Sequence, residues 1–229
     1  MVYEVRYYVE TPIITSSPIH FDALLAAVHP AMHQLDAIDR FSGSESVVTA
    51  PLPIDSAKIG DTWVWCATAG DYAPGAAAYT GRYFKVKTAE DYHYLRARQP
   101  MATGPGRNKQ ETASGVSCAY VRFWASSAEA AELARICRRV RSIGSLRGMG
   151  YGNVVKMQIS ETDRTWQSCL IHDGLSVRNL PEEMVDSPDQ PVQIQSTPPY
   201  WLPCNLAPGY RIGTQCALKA DVQLNPCHR

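Results

Sequence analysis

Two kinds of hydrophobic periodicity alternate along the chain. Residues 2–9, 116–125 and 153–160 alternate in polarity or carry β-favouring side chains, which predicts strands. Two other segments place apolar side chains on one helical face: Phe21, Leu24, Leu25 and Val28, then Leu133, Ile136, Cys137 and Val140. The order strand–helix–strand, followed by strand–helix–loop–strand, predicts an α+β fold with a ferredoxin-like (RRM-like) βαββαβ core.

Two segments do not fit this core. Residues 96–115 have almost no large apolar side chains and a positive balance that includes Arg107 and Lys109, so they predict an inserted loop or projecting hairpin. Eight of the sixteen prolines lie in residues 181–229, which predicts an irregular segment because proline lacks the N–H that strands and helices use. The expected domains are residues 1–180, including the inserted loop, and a Pro-rich extension packed on that domain or on a neighbouring subunit.

Composition limits the function classes. The 229 residues can bury one substantial core, and no apolar run approaches the roughly 18 residues of a membrane helix. The net charge of zero argues against a wholly basic nucleic-acid binder but permits a local basic patch. Seven cysteines without a CxxC pair or a secretion signal predict reduced thiols and a cytoplasmic location. Donor atoms for zinc occur in Cys204, Cys216, Cys227 and His228. Their spacing is long and irregular, so a metal site is not expected. No other cofactor is expected either.

The most unusual segment is the glycine-rich stretch 143–154. It follows a helix rich in arginine and contains four glycines together with Arg147. Glycine lets backbone amides approach a ligand closely, and arginine binds phosphates through paired hydrogen bonds. Nucleotide-binding loops run from a strand into a helix N-terminus, whereas this loop leaves a helix C-terminus, where the macrodipole has the wrong sign. We therefore predict a surface for the phosphates and bases of RNA rather than a mononucleotide site.

The predicted RNA-binding residues come from this loop, the preceding helix end, the inserted loop and the first helix. They are Arg138, Arg139, Arg141, Gly144, Ser145, Arg147, Gly148, Gly150, Tyr151, Gly152, His20, Arg107 and Lys109. The simpler explanations are that the helix arginines complement the macrodipole and that the inserted loop is merely solvated. His20 is a weak candidate for a general acid or base, because its ordinary pKa is near neutrality. Base stacking or a place in the core are the two interpretations of Trp63, Trp65, Tyr79 and Tyr83.

Two segments resemble the CRISPR-associated RAMP superfamily. Its glycine-rich loop, between the last helix and last strand, is similar to IGSLRGMGYGNV at residues 143–154. The helix entry of its Cas-five-like subunits is similar to PIHFDALL at residues 18–25. The length is also similar to that of the Cas-five-like subunit of the type IV effector complex.

This resemblance implies a non-catalytic RNA-binding subunit of a CRISPR ribonucleoprotein. It would cap the 5′ handle of the CRISPR RNA against residues 144–152 and project residues 96–115 as a thumb. Its partners would be a backbone RAMP subunit and, where present, a large subunit, with target DNA met only indirectly and no membrane. Two alternatives remain: a metal-independent endoribonuclease that processes CRISPR RNA through His20, and a ferredoxin-like enzyme or scaffold that does not bind RNA.

Overall fold

The fold is dominated by antiparallel strands in several small sheets. The computed structural model describes residues 1–29, 51–85, 109–197, 200 and 206–227. Strands make up 46% and helices 15% of this part, which contains two α-helices. The prediction of an α+β ferredoxin-like βαββαβ fold was therefore wrong. Many of the additional strands have two to five residues, which is too short for a period-two pattern to identify them.

The described α-helices are α1 (Phe21–Val28) and α2 (Ala130–Cys137), and 3-10 turns occur at Arg147–Met149, Trp166–Cys169 and Glu182–Met184. The strands of the first half are β1 (Val2–Val9), β2 (Ile13–Ile14), β3 (Ser56–Ile59), β4 (Thr62–Trp65), β5 (Asp71–Tyr72), β6 (Ala77–Lys85), β7 (Lys109–Ser117) and β8 (Tyr120–Ser126). The later strands are β9 (Val154–Thr162), β10 (Ile171–His172), β11 (Leu175–Ser176), β12 (Leu180–Pro181), β13 (Val185–Asp186), β14 (Val192–Gln195), β15 (Leu206–Tyr210), β16 (Ala217–Leu218) and β17 (Gln223–Asn225).

The largest sheet has four strands in the order β5-β8-β1-β9, and all neighbours are antiparallel. Alternate residues of its central strands, such as Val5, Tyr7 and Phe123, are fully buried. They form the first core together with apolar side chains of α1 and α2, among them Phe21 and Leu133. The alternate positions on the other face of the sheet carry its polar side chains and, at one end, Val2 and Trp124, which are buried in a second core.

A second core is built by residues from both ends of the chain. Val2, Ala57 and Val64 pack there with Leu180 and Met184. The Pro-rich segment supplies the sheet β12-β15-β14 and the pair β13-β16, and β17 extends the sheet of β3 and β4. The described residues after 181 therefore form short strands, although their prolines predict irregular structure. Pro181 is the last residue of β12, and Pro208 of β15 is paired on one side only, because the β12 ladder covers only Gly209 and Tyr210. Both positions therefore lie where a ladder N–H can be missing.

The antiparallel hairpin of β6 and β7 forms a third sheet with β2, in the order β2-β7-β6. Its strands pair from Ala77 opposite Ser117 to Lys85 opposite Lys109. The predicted loop 96–115 is therefore strand from residue 109 onward, and its residues 96–108 lie outside the described part. A small side chain that suggested a loop, Gly115, instead allows β7 to lie close to β2. A Cβ on Gly115 would lie 2.0 Å from the carbonyl oxygen of Ile13.

Candidate nucleic-acid interface

Helix α2 presents a basic end to solvent. Its Leu133, Ile136 and Cys137 side chains are buried in the first core. Arg135 is neutralised by Glu132, with 2.5 Å between guanidinium Nη2 and carboxylate Oε1. The next three arginines, Arg138, Arg139 and Arg141, are exposed. Within the described residues none of these three has a carboxylate at salt-bridge distance, so their charges are available to an anionic ligand.

The two ends of the glycine-rich loop are locked against β2. The amide of Ser145 donates to Ile14 O at 2.8 Å, and the amide of Gly152 donates to Pro12 O at 2.9 Å. A Cβ on Gly144 would lie 2.4 Å from Ile14 O, and one on Gly152 would lie 1.9 Å from Ile143 O. These two glycines therefore serve internal packing, because any side chain would collide with backbone oxygen.

The tip of the loop, residues 146–150, faces solvent. Leu146 and Gly150 flank the 3-10 turn with φ of 55° and 84°, and Arg147 and Gly148 inside the turn are exposed. The carbonyl of Gly150 accepts a hydrogen bond from Thr11 Oγ1 at 2.8 Å. Cβ atoms on Gly148 or Gly150 would meet no atom within 4 Å. The tip is thus an open turn on a fixed base, and Arg147 has no carboxylate partner in the described part of the chain.

Tyr151 connects the loop to strand β6 of the hairpin. Its hydroxyl oxygen lies 3.4 Å from that of Tyr79 on β6, and the ring centroids are 6.0 Å apart. The hydrogen bond to Tyr151 raises the pKa of Tyr79 above its ordinary value. The predicted residues Gly144–Gly152, the α2 arginines and one hairpin aromatic therefore belong to one connected region.

Three other predicted contacts are separate from this region or outside the described part. Lys109 begins β7, and Arg107 lies outside the described residues. His20 precedes α1, is 6% exposed and stacks on the Tyr200 ring at 4.4 Å between centroids. Burial lowers the pKa of His20 to about 4, so the imidazole is neutral at neutral pH.

A buried ionic network lies beside His20. Arg178 and Asp22 are both fully buried, and Arg178 Nη2 lies 3.3 Å from Asp22 Oδ2. Tyr200 donates its hydroxyl proton to the same carboxylate oxygen at 2.8 Å. Arg178 also donates to the carbonyls of Trp65, Ala67 and Ser196. One feature of the sequence pointed to this network, the Asp22 carboxylate in the apolar first turn of α1, but nothing in the sequence identified Arg178 as its partner.

Two buried polar atoms of this network have no hydrogen-bond partner in the described part of the molecule. They are His20 Nδ1 and Asp22 Oδ1. Desolvation of such atoms costs about 1–3 kcal/mol each. The contacts of Arg178 and Tyr200 with Asp22 and Trp65 attach the Pro-rich segment to α1 and β4. The same packing encloses the His20 ring, so a substrate in solvent cannot reach it.

The remaining candidates have structural partners or lie outside the described chain. Trp63 and Trp65 contact edge to face at 5.2 Å, and the Tyr83 hydroxyl donates to Glu111 at 2.6 Å. Cys216 is buried. Cys204 and His228 lie outside the described part, and the described residues contain no group of three side chains placed to hold a metal. No described helix is both long enough and apolar enough to cross a membrane.

Comparison with known families places the chain among CRISPR-associated proteins. A family model described as CRISPR type IV associated protein Csf3 matches residues 2–210. The chain therefore belongs to the Csf3 family of type IV CRISPR-associated proteins. This family confirms the predicted CRISPR association and the type IV class, whereas the narrower Cas-five-like RAMP subgroup stays a prediction.

Two further comparisons add less. A crystal structure described as a CRISPR protein from Archaeoglobus fulgidus is similar over 100% of both chains, at 14% identity and a TM-score of 0.37. A likeness of this size carries no argument about fold or site. No curated protein matches the chain.

Proposed function

We propose that this protein is a non-catalytic RNA-binding subunit of a type IV CRISPR effector complex, which holds the 5′ handle of the CRISPR RNA. The family membership supports a role in a type IV CRISPR system. The observation that carries the RNA-binding role is the solvent-exposed turn at residues 146–150, which is fixed at both ends and follows arginines that, like Arg147 within it, have no carboxylate partner among the described residues. Such a turn lets phosphates approach amides and guanidinium groups together.

The arginines near the end of α2 and Arg147 on the turn would contribute to RNA binding in different ways. Exposed Arg138, Arg139 and Arg141 would supply long-range attraction, since they are free of carboxylates in the described chain. Arg147 stands on the turn itself, where the backbone is closest to a bound strand. Handle bases splayed from the strand would then be read at their edges, as in other single-stranded RNA sites.

The endoribonuclease alternative receives no support from His20. A general acid or base must reach the atom that it protonates or deprotonates, whereas the His20 ring is buried under Tyr200. Its lowered pKa of about 4 also leaves it without a proton to donate at neutral pH. Repeat RNA incubated without metal tests this alternative, and cleavage that persists in His20→Ala would require another residue.

Binding of handle RNA and of a scrambled RNA, measured across a salt series, tests the proposal. We expect tighter binding of the handle and a weaker salt dependence in Arg147→Ala, with the slope of log K against log salt reduced by about 0.7 to 1. Each lost phosphate contact releases about one fewer counterion, which gives this magnitude.

Arg135→Ala is the matched control. Arg135 is also exposed, on the preceding helix α2, but its charge is already neutralised by Glu132. We expect its salt slope to equal that of the wild type. Equal affinity for handle and scrambled RNA at every salt concentration would refute handle recognition, and an unchanged slope in Arg147→Ala would remove Arg147 from the phosphate contacts.

A further inference from the structure

The open face of the four-stranded sheet carries a regular grid of polar and aromatic side chains. Its strands are in direct register, so residues from β9, β1 and β8 stand side by side in rows. The first row is Lys156, Tyr8 and Tyr120, the second is Gln158, Arg6 and Arg122, and the third is Ser160, Glu4 and Trp124. Successive rows are about 7 Å apart, because two residues of a strand rise by that distance. The opposite face is the apolar one that packs on α1 and α2.

The first row forms an aromatic platform with a cation over each ring. Tyr8 and Tyr120 contact each other with centroids 5.8 Å apart and planes at 60°. Lys156 Nζ lies 5.4 Å from the Tyr8 centroid, and the guanidinium carbon of Arg6 lies 4.6 Å from the Tyr120 centroid. Tyrosine rings and stacked guanidinium planes are the two kinds of surface on which unpaired bases lie.

The third row ends at Trp124, which is 7% exposed and packs in the second core, and a concavity beside it is lined by a second arginine pair. The Trp124 ring has the guanidinium carbon of Arg164 at 4.1 Å and that of Arg122 at 4.9 Å. These three side chains, with His172 and the backbone around Gly213, line a cavity of about 440 Å³. Arg164 Nη2 lies 3.3 Å from His172 Nε2. The guanidinium groups thus continue beyond the platform as far as the edge of the sheet.

The charge on this face is positive although the whole chain is neutral. Arg6 is paired with Glu4 at 2.6 Å, and Arg122 is paired with Asp71 at 2.7 Å. Among the described residues, no carboxylate lies at salt-bridge distance from Lys156 or Arg164. Two cations without a salt-bridge partner among the described residues therefore flank the platform: Lys156 at the β9 edge, and Arg164 beyond Trp124 in a cavity that Asp173 also lines.

We propose that this open face binds a segment of single-stranded nucleic acid. Bases stack on Tyr8, Tyr120 and the guanidinium of Arg6, and phosphates contact Lys156 and Arg164. Protein interfaces are also rich in tyrosine and arginine, but Lys156 and Arg164, which have no carboxylate at salt-bridge distance among the described residues, favour a polyanion. Stacking on aromatic rings is tolerant of sequence, so this surface accepts any base and is distinct from the glycine-rich loop and its proposed handle recognition.

Fluorescence anisotropy with a labelled oligouridylate tests the proposal, because this RNA contains no handle sequence. We expect wild-type binding at low salt and a loss on the order of tenfold or more in the Tyr8→Ala/Tyr120→Ala double variant. The Tyr8→Phe/Tyr120→Phe variant keeps both rings, and we expect its affinity to stay near that of the wild type. Far-ultraviolet circular dichroism of each variant checks that the sheet remains folded.

Two single-lysine variants provide a second, electrostatic test that does not depend on the aromatic variants. We expect Lys156→Ala to lower the salt slope for oligouridylate by about 0.7, the value for one contact with a single strand. Lys58→Ala is the matched control, since Lys58 is exposed on β3 of a different sheet. Equal slopes for the two lysine variants would contradict a phosphate contact at Lys156.

Photocrosslinking separates this proposal from the handle-binding proposal. An oligouridylate with 5-iodouracil should crosslink to Tyr8 or Tyr120 in the wild type and equally in Arg147→Ala. The double tyrosine-to-alanine variant should still prefer handle RNA over scrambled RNA. Absence of oligouridylate binding, crosslinks confined to other residues, or an unchanged affinity in the alanine variant would each overturn the open-face site, whatever the result for the handle.

Discussion

At the scale of single residues, the enclosed imidazole of His20 makes stability depend on pH. Burial depresses its pKa from 6.5 to about 4. Above pH 6.5 neither the folded nor the unfolded chain protonates this ring, so the protein has the full stability that a neutral His20 allows. Between pH 6.5 and about 4 the unfolded chain binds a proton that the folded chain excludes, and folding loses up to roughly 3 kcal/mol. Urea unfolding measured across this pH range should show that loss.

The His20→Phe variant is the control for this prediction. Phenylalanine retains a flat ring against Tyr200 and removes both the titration and the unpartnered Nδ1 atom. We expect the free energy of unfolding of this variant to fall less between pH 6.5 and about 4 than that of the wild type. Identical pH profiles would show that His20 is not the responsible group.

At the scale of elements, the glycine-rich loop contains two kinds of glycine: some pack against backbone atoms, and others face open space. We expect Gly152→Ala to destabilise the protein by more than about 2 kcal/mol, because a Cβ at φ 63° would meet Ile143 O at 1.9 Å. Gly148→Ala adds its Cβ to open space within the 3-10 turn. Its unfolding free energy should stay within about 0.5 kcal/mol of the wild type.

Thermal or urea unfolding of both variants decides between these expectations. Comparable losses would mean that the loop ends are as free as its tip, contrary to their contacts with β2. If both variants remain folded, RNA binding by Gly148→Ala then reports on the tip alone, since its backbone φ is not in the left-handed region.

The elements that the sequence predicted well are those with sustained periodicity. The strand at residues 2–9 and helix α2 occur where alternation and a one-sided apolar face indicate them. The same alternation also contained Arg6 and Tyr8 of the open face, but a strand by itself does not reveal its neighbours. Only the pairing of Tyr8 with Tyr120 and Lys156, across more than a hundred residues of sequence, assembles the platform.

The sequence alone indicated the glycine-rich loop of the candidate site, but not the residues that pack around it. Glycine density and Arg147 identified a segment whose tip is indeed exposed. However, contacts with residues 11–15 decide which glycines face solvent, and such contacts leave no local signal. The same reason explains why the sequence alone left both base stacking and a core position open for Trp63 and Trp65, which contact each other in a separate sheet.

At the scale of the whole molecule, Arg178 joins regions that are far apart in sequence. It contacts Asp22 of α1, the backbone after β4 and Tyr200 of the Pro-rich segment. We expect Arg178→Met to cost about 3–5 kcal/mol, because it leaves the Asp22 carboxylate buried without its cation. Denaturant unfolding monitored by tryptophan fluorescence measures this loss.

The double variant Arg178→Met/Asp22→Leu controls for the buried charge. Removing both partners should recover more than about 1 kcal/mol relative to the sum of the single losses, since the unpaired charge is then absent. Strictly additive losses would show that the two side chains do not interact in solution.

The two-residue strand β2 has a mechanical consequence for the protein. One of its edges pairs with β7 of the hairpin, while Ile14 O on the other side accepts a hydrogen bond from the Ser145 amide of the glycine-rich loop. Tyr79 and Tyr151 bridge the same two parts. A ligand that tilts the hairpin must therefore move the loop with it or break these hydrogen bonds, so force applied at one would be felt at the other.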